Sequence, residues 1–384
     1  MKIISIVGAR PNFIKVSPFV KAIEKYNVVN KSIEHILVHS GQHYDDRMSN
    51  KFFHDLKIPR PDINLNIGSG THAEQVGNTM IEFEKVLNKI QPDWVVVFGD
   101  VNATVAAAIT AKKLNIKVCH IEAGLRSRDE SMPEEINRIV TDRLSDLLLT
   151  PDKLSIQNLR DEGVSENKIK FVGNIMIDTL ISNMQKSKEL KTNSILSNNV
   201  IDGQNFIREN DFSNNPFILT TMHRPSNVDS KKVLTSIIDF FINTVANKYS
   251  VIWPVHPRAE KQLIHFDLWE KLIDNNNFVL LHPLGYHDML KLNIESAIVF
   301  TDSGGLQEEC TVIGTPCLTM RDNTERPITL YENKGVCHLV GNNIVSIGRE
   351  YKKMNIQEKV SVTPKYWDGK TADRCLKEIL NFNQ

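Results

Sequence analysis

The five cysteines, Cys119, Cys310, Cys317, Cys337 and Cys375, form no CxxC pair. Together with the absence of Cys–His spacing, HExxH and EF-hand loops, this excludes the common metal motifs. An odd number of thiols, with Cys119, Cys310 and Cys317 in apolar stretches, points to buried free thiols. A reducing compartment, and hence the cytoplasm, is the expected location. No run approaches the roughly 20 apolar residues of a membrane span, so no membrane partner is expected. The opening "MKIISIVGARP" ends its short apolar run in Gly, Arg and Pro, which reads as a first strand and not as a signal peptide. Charge of one sign is lacking too: Lys plus Arg and Asp plus Glu each number 46, for zero formal net charge. That excludes a nucleic acid held on a basic surface, so any anionic partner must meet a local site. No GxGxxG turn and no GxSxG elbow occur, which argues against a nicotinamide cofactor on the usual fingerprint and against a serine hydrolase.

What is present is the alternation of an α/β protein. The chain has 384 residues, 41% hydrophobic and 24% charged, which suggests two or three soluble domains. Apolar β-branched runs at 2–7, 34–41, 94–100, 117–124, 147–151 and 169–174 alternate with helical stretches. A polar, Asn-rich stretch at 185–215 follows, and the pattern restarts at 216–223, 251–257, 278–285, 297–305, 315–320 and 335–341. Continuous apolar strands with helical crossovers imply parallel sheets covered on both faces. The expected organisation is a first domain over 1–184, a connection over 185–215 that includes a short helix, and a second domain over 216–363. Open sheets in tandem place their carboxyl-end crevices where a cleft between domains can form.

The chemistry-bearing residues lie at those strand ends. In "FTDSGGLQEECTVIG" (300–314) a strand runs into Ser303, Gly304 and Gly305 and then directly into a helix. Glycines admit a ligand to the backbone, and a helix start favours an anion, as in phosphate sites; the plainer reading is a tight turn. In "VGARPNFIKVSP" (7–18) Gly8 permits a turn, and Arg10 and Lys15 place cations near a helix start, which is unfavourable unless an anion joins them. Thr71 and Glu74 in "GSGTHAEQVG" have capping-box spacing. Asp100 ends the run "VVVFGD" and by itself reads as a helix N-cap. Glu122 ends the neighbouring run, where a carboxylate must be paired or perturbed. Glu134 follows Ser131 by three residues, so a capping box competes with a chemical role. Strand ends of one parallel sheet open on one edge, which brings Asp100 and Glu122 together; clustered carboxylates are expected to push each other's proton affinities apart. In the second half, His223 and Arg224 in "TTMHRPSN" and His256 and Arg258 in "WPVHPRAE" look like an anion-binding edge.

Read in order, "GARPNFIK", "HSGQHYD", "FGDVNAT", "HIEAGLR", "PEEINR", "TMHRPSN", "TDSGGLQEE", "TERP" and "YWDGKTADR" closely resemble the non-hydrolysing UDP-N-acetylglucosamine 2-epimerases, from Gly8 to Arg374. The resemblance implies a glycosyltransferase-B-like fold: two Rossmann-like domains facing across a cleft, with a C-terminal helix at 364–384 returning to the first. It implies reversible inversion at C2 of UDP-GlcNAc to UDP-ManNAc through a 2-acetamidoglucal. By family match, Asp100, Glu122 and Glu134 are the acid/base candidates, with His223 and Arg10 at the diphosphate. Ser303, Gly304 and Gly305 would cradle it, and Glu309 would hold the ribose hydroxyls. Lys15, Arg138, His256 and Arg326 resemble further site residues. No metal or other cofactor is expected; the partners are a UDP-sugar and a second copy of the chain in a homodimer. Relatives with similar motifs act on UDP-2,3-diacetamido-uronic acid sugars, and a hydrolysing 2-epimerase is another reading. A retaining glycosyltransferase and a non-catalytic nucleotide-sugar sensor are more distant ones. Tyr44 and Asp45 after Gln42–His43 depart from the regulated bacterial members.

Overall fold

A computed structural model describes residues 1–8, 10–41, 55–204, 215–354 and 359–382. The side chain of Arg10 and the Gln42–Asp45 stretch lie outside the described residues. The chain divides into two compact units, Met1–Ser182 with Pro364–Gln384, and Asn183–Thr363.

In the first unit the strands are β1 (Lys2–Val7), β2 (Glu34–His39), β3 (Ile63–Asn64), β4 (Trp94–Phe98), β5 (Lys117–Ile121), β6 (Leu147–Thr150) and β7 (Ile169–Phe171). They pair in parallel in the order β3-β2-β1-β4-β5-β6-β7. The strands are buried because helices cover the sheet: all five residues of "WVVVF" in β4 are buried. Between β1 and β4 the winding reverses, which opens a crevice at their carboxyl ends. Asn12 spans this point, accepting from the Gly8 amide at 3.1 Å and donating to the Phe98 carbonyl at 2.9 Å. Helix His72–Ile90 starts with the capping box of Thr71 and Glu74. The two-residue strand β3 is too short to leave a periodic signal.

The last helix, Thr371–Asn381, belongs to this unit. Asp178 accepts from the Thr371 and Ala372 amides at 3.0 and 2.7 Å, satisfying two first-turn donors. Trp367, fully buried, donates its indole N–H to the Pro151 carbonyl at 3.1 Å.

The second unit has β8 (Phe217–Thr221), β9 (Ser250–Pro254), β10 (Phe278–Leu281), β11 (Ile298–Thr301), β12 (Cys317–Thr319) and β13 (Cys337–Leu339), in the parallel order β10-β9-β8-β11-β12-β13. The same 3-2-1-4-5-6 order appears in both units, so both are Rossmann-like and each has one switch point. Part of the polar stretch at 185–215 is built into this unit. Helix Thr192–Asn199 buries Ile195 and Leu196 against Phe217, Leu219, Ile252 and Val279. All five cysteines are buried free thiols. Among the described residues no helix is long and apolar enough to cross a membrane.

Candidate active site

At the switch point of the first unit, β4 ends in Gly99 with φ +59°, in the left-handed region that glycine enters freely. A Cβ there would stand 2.5 Å from Lys15 Nζ and 3.0 Å from Glu122 Oε2. A side chain at residue 99 would crowd the Lys15–Glu122 pair as well as strain the backbone. Asp100 follows, and its carboxylate accepts from Arg138 Nε at 3.0 Å and Nη2 at 2.7 Å. Arg138 Nη1 donates to Glu135 at 2.5 Å, and Glu135 also accepts from the Ser127 and Arg128 amides at 3.0 and 2.9 Å. One strand over, Glu122 sits at φ +77°, an uncommon setting for a residue with a side chain. Its buried carboxylate pairs with Lys15 Nζ.

These contacts revise several expectations. Asp100 is not a cap: helix Asn102–Lys113 has Val101 at its N-cap, with no side-chain bond. Glu134 makes no capping box: helix Pro133–Leu144 is capped at Met132, and Ser131 Oγ turns instead to Asp129 at 2.5 Å. The anion that balances Lys15 is Glu122, a protein carboxylate. Asp100 and Glu122 follow neighbouring strands at one edge, and each is paired with a cation, Arg138 and Lys15 respectively. Glu134 is exposed in the first turn of its helix, four residues before Arg138. Arg10 opens helix Arg10–Asn30.

In the second unit, Asp302 ends β11 and is fully buried. It accepts from the His223 amide at 3.0 Å, the Arg224 amide at 2.9 Å and Asn227 Nδ2 at 3.0 Å, and it faces His223 Nδ1 at 2.8 Å. Burial pushes its pKa up, but the His223 ring and the two amides outweigh burial and hold it at about 2. His223 is thus anchored on one nitrogen with its ring 41% exposed. His256 caps helix Pro257–His265 by accepting from the Arg258 amide at 3.1 Å, and its ring lies 5.4 Å from that of His223. The neighbouring arginines are engaged elsewhere: Arg258 Nη2 with Asp229 at 2.5 Å, and Arg224 Nε with the Asp302 carbonyl at 3.1 Å. Ser303 is the N-cap of helix Gly304–Ile313 without a side-chain bond to it. Gly304 is buried against Arg326, which pairs with Glu325 and, through Nε at 2.9 Å, with Glu308. Gly305 is half-buried in the same first turn.

Glu309 is buried, and Tyr286 donates its hydroxyl to it at 3.0 Å. Burial raises its pKa, the Tyr286 bond lowers it and Glu308 raises it, for a net value of about 7. A raised carboxyl keeps its proton in the folded state after the unfolded chain has released it, so stability falls as pH rises from 4.5 to about 7. Glu309→Gln should remove that slope. Urea midpoints at pH 5 and pH 8 should show wild type losing on the order of 3 kcal/mol more than the variant; equal losses would contradict the burial argument.

Glu135, Asp302, Glu325 and Tyr286 take part in these contacts without having been expected as site residues from the sequence. Glu135 had a signal, since its spacing to Arg138 is that of a helical i,i+3 pair. Asp302 stands in the motif "FTDSGGLQEECTVIG" just before Ser303, where nothing local reports its contact with His223. Tyr286 meets Glu309 across 23 residues, which no local pattern reports.

A family model described as UDP-N-acetylglucosamine 2-epimerase matches residues 27–380. The chain belongs to this family. It is 40% identical over 386 residues to the UDP-N-acetylglucosamine 2-epimerase of Methanocaldococcus jannaschii, covering 100% of both chains. The crystal structure of that 2-epimerase in complex with UDP-GlcNAc and UDP matches with a TM-score of 0.88 at 39% identity, again over 100% of each chain. A Pseudomonas aeruginosa relative, UDP-2,3-diacetamido-2,3-dideoxy-D-glucuronate 2-epimerase, is 41% identical over 327 residues, which is 85% of this chain and 84% of that one. The two 2-epimerase relatives thus differ in the sugar their names specify and share the reaction.

Proposed function

We propose that the chain interconverts UDP-GlcNAc and UDP-ManNAc by inversion at C2. The C2 proton has no adjacent carbonyl to acidify it, so its removal must accompany loss of a stabilised leaving group. A carboxylate takes the C2 proton, the C1–O bond breaks with its electron pair going to UDP, and a C1=C2 double bond forms. Re-addition of UDP with protonation of the other face of C2 completes the inversion. The observation that carries this reading is the pairing of Asp100 with Arg138 and Glu122 with Lys15 at one switch point, in a chain of this family. Carboxylates oriented by neighbouring cations are placed for proton transfer. His223, Ser303, Gly304 and Gly305 serve the diphosphate: a histidine anchored on Asp302 and a glycine-rich helix start both favour developing negative charge. Arg10, Lys15, Arg138, His256, Glu309 and Arg326 complete the set, with Glu309 at the ribose.

Identity to the Pseudomonas relative favours a second reading, the same inversion on a UDP-2,3-diacetamido-uronic acid. Incubation with each UDP-sugar in D₂O, followed by NMR, decides between them. The expected result is deuterium at C2 in both epimers of one substrate. Turnover without C2 deuterium sinks the proton abstraction, and free UDP accumulating in step with free sugar indicates a hydrolysing enzyme. The proposal includes a cytoplasmic homodimer, which cell fractionation and sedimentation test.

A further inference from the structure

His120 lies on β5, two residues before Glu122, with no solvent exposure. Its Nδ1 is 2.6 Å from Asp142 Oδ1, and its Nε2 is 2.8 Å from the carbonyl oxygen of Gly99. A carbonyl oxygen only accepts, so Nε2 donates. Asp142 is buried and also accepts from Arg126 Nη1 at 2.7 Å and the Gly124 amide at 3.0 Å. Burial pushes Asp142 up, but His120 and Arg126 outweigh it and keep it ionised. Asp142 faces Nδ1 and the Gly99 carbonyl faces Nε2, so the ring is held from both ends. Arg126 is in turn gripped by Glu162 through Nε at 2.8 Å and Nη2 at 2.6 Å. The chain of contacts ends on the peptide that joins Gly99 to Asp100. The next carbonyl, that of Asp100, accepts from Asn137 Nδ2 at 2.9 Å. Both peptides flanking Asp100 are therefore pinned, and Arg138 holds its carboxylate.

We infer that His120, clamped between Asp142 and the Gly99 carbonyl, is a positioning residue that fixes the backbone of Asp100 for proton transfer. The inference rests on the C2-inversion reading for its kinetic arm. Gly99 has no side chain to hold its own peptide; its amide donates to the Ile121 carbonyl at 3.1 Å, and the His120 ring holds its carbonyl. Without the ring, its carbonyl is free to rotate and Asp100 loses its aim, and a displacement of about 1 Å at a reacting group is worth about 100-fold in rate.

The test compares wild type with His120→Gln, which keeps a side-chain N–H of similar reach, and His120→Ala, which has none. Rates of C2 deuteration are expressed per UDP-binding site counted by titration, so that unfolded protein does not enter. The expected loss is about 100-fold for Ala and under about 10-fold for Gln, with UDP affinity within about 2-fold in both. Equal losses in the two variants, or losses that follow UDP affinity, overturn the positioning role. An activity-free readout stands beside it. Gly–Asp occurs once in the sequence, at Gly99–Asp100, so protein labelled with carbonyl-¹³C glycine and ¹⁵N aspartate gives a single peptide cross-peak. Its carbonyl shift should move in His120→Ala and stay near wild type in His120→Gln; an unmoved peak in Ala overturns the clamp. Should His120→Ala fail to fold, Asp142→Asn takes its place: the same peak should move as the ring loses its charged partner, and an unmoved peak again overturns the clamp. Absence of C2 deuteration in wild type on every UDP-sugar sinks the functional reading instead, and the cross-peak still decides the clamp.

Discussion

Asp100→Asn should slow C2 deuteration and epimerisation together by about 10²- to 10⁴-fold, the usual contribution of a positioned acid or base, while UDP affinity holds. Asn keeps the shape of the side chain and loses its capacity to take or return a proton. The acceptor for Arg138 survives in the amide oxygen, and Arg138 retains Glu135 at 2.5 Å, so the fold should tolerate the change. The carboxylate of Asp100 is 19% exposed, against 2% for Glu122. Asp100 therefore has the readier access to a ligand, and its variant is the cleaner test. Glu122→Gln should lose a similar factor, but it also strands the buried Lys15 charge. Breaking a buried pair from one side costs about 3–5 kcal/mol of stability, so its thermal midpoint must be measured beside its rate. Glu134→Gln, on an exposed side chain, should leave stability unchanged and affect the rate alone. Progress curves by NMR and calorimetric UDP titration check all three. Turnover like that of wild type in the whole set would remove the proton-transfer role from this edge.

Gly304→Val should produce the opposite pattern: UDP affinity reduced by about 100-fold or more, equivalent to about 2.7 kcal/mol. An added Cβ meets Arg326 Nη1 at 2.6 Å and Glu325 Oε1 at 2.7 Å. Those two groups cannot step aside cheaply. Glu325 also accepts from Arg321 Nη2 at 2.7 Å, and Arg326 forms an ion pair with Glu308 at 2.9 Å, all four side chains being nearly free of solvent. A side chain at 304 must break that ionic chain or lift the helix start away from its strand, and either displaces the backbone N–H groups that the proposed function assigns to the diphosphate. Calorimetry with UDP measures the effect; unchanged affinity would count against the glycine-lined seat. The pair of experiments separates chemistry from binding, since the acids should alter rate without affinity and the glycine affinity first.

The two sheets were legible because their strands, β3 apart, are largely apolar runs that a doubly covered parallel sheet buries. The strand ends followed from those runs, and with them Asp100, Glu122, His223 and Ser303. Side-chain partners were not legible in the same way. Ser131 and Glu134 have capping-box spacing, yet the helix begins one residue later and the box never forms. Thr71 and Glu74 have the same spacing and do form it. Spacing sets which bonds are possible, and the place where Pro133 starts its helix decides which are made.

From the residues alone came the fold class, the family motifs and the strand-end positions of Asp100 and Glu122, because burial of apolar runs and backbone geometry are local properties written in short windows. The tertiary structure decided the charge partners: Lys15 reaches Glu122 across 107 positions, Arg138 reaches Asp100 across 38, and His120 holds the carbonyl of Gly99. Those contacts depend on which strands lie side by side. Adjacency of β1 to β4 and of β4 to β5 is a consequence of how the whole sheet winds, and no stretch of chain short enough to show a pattern contains it.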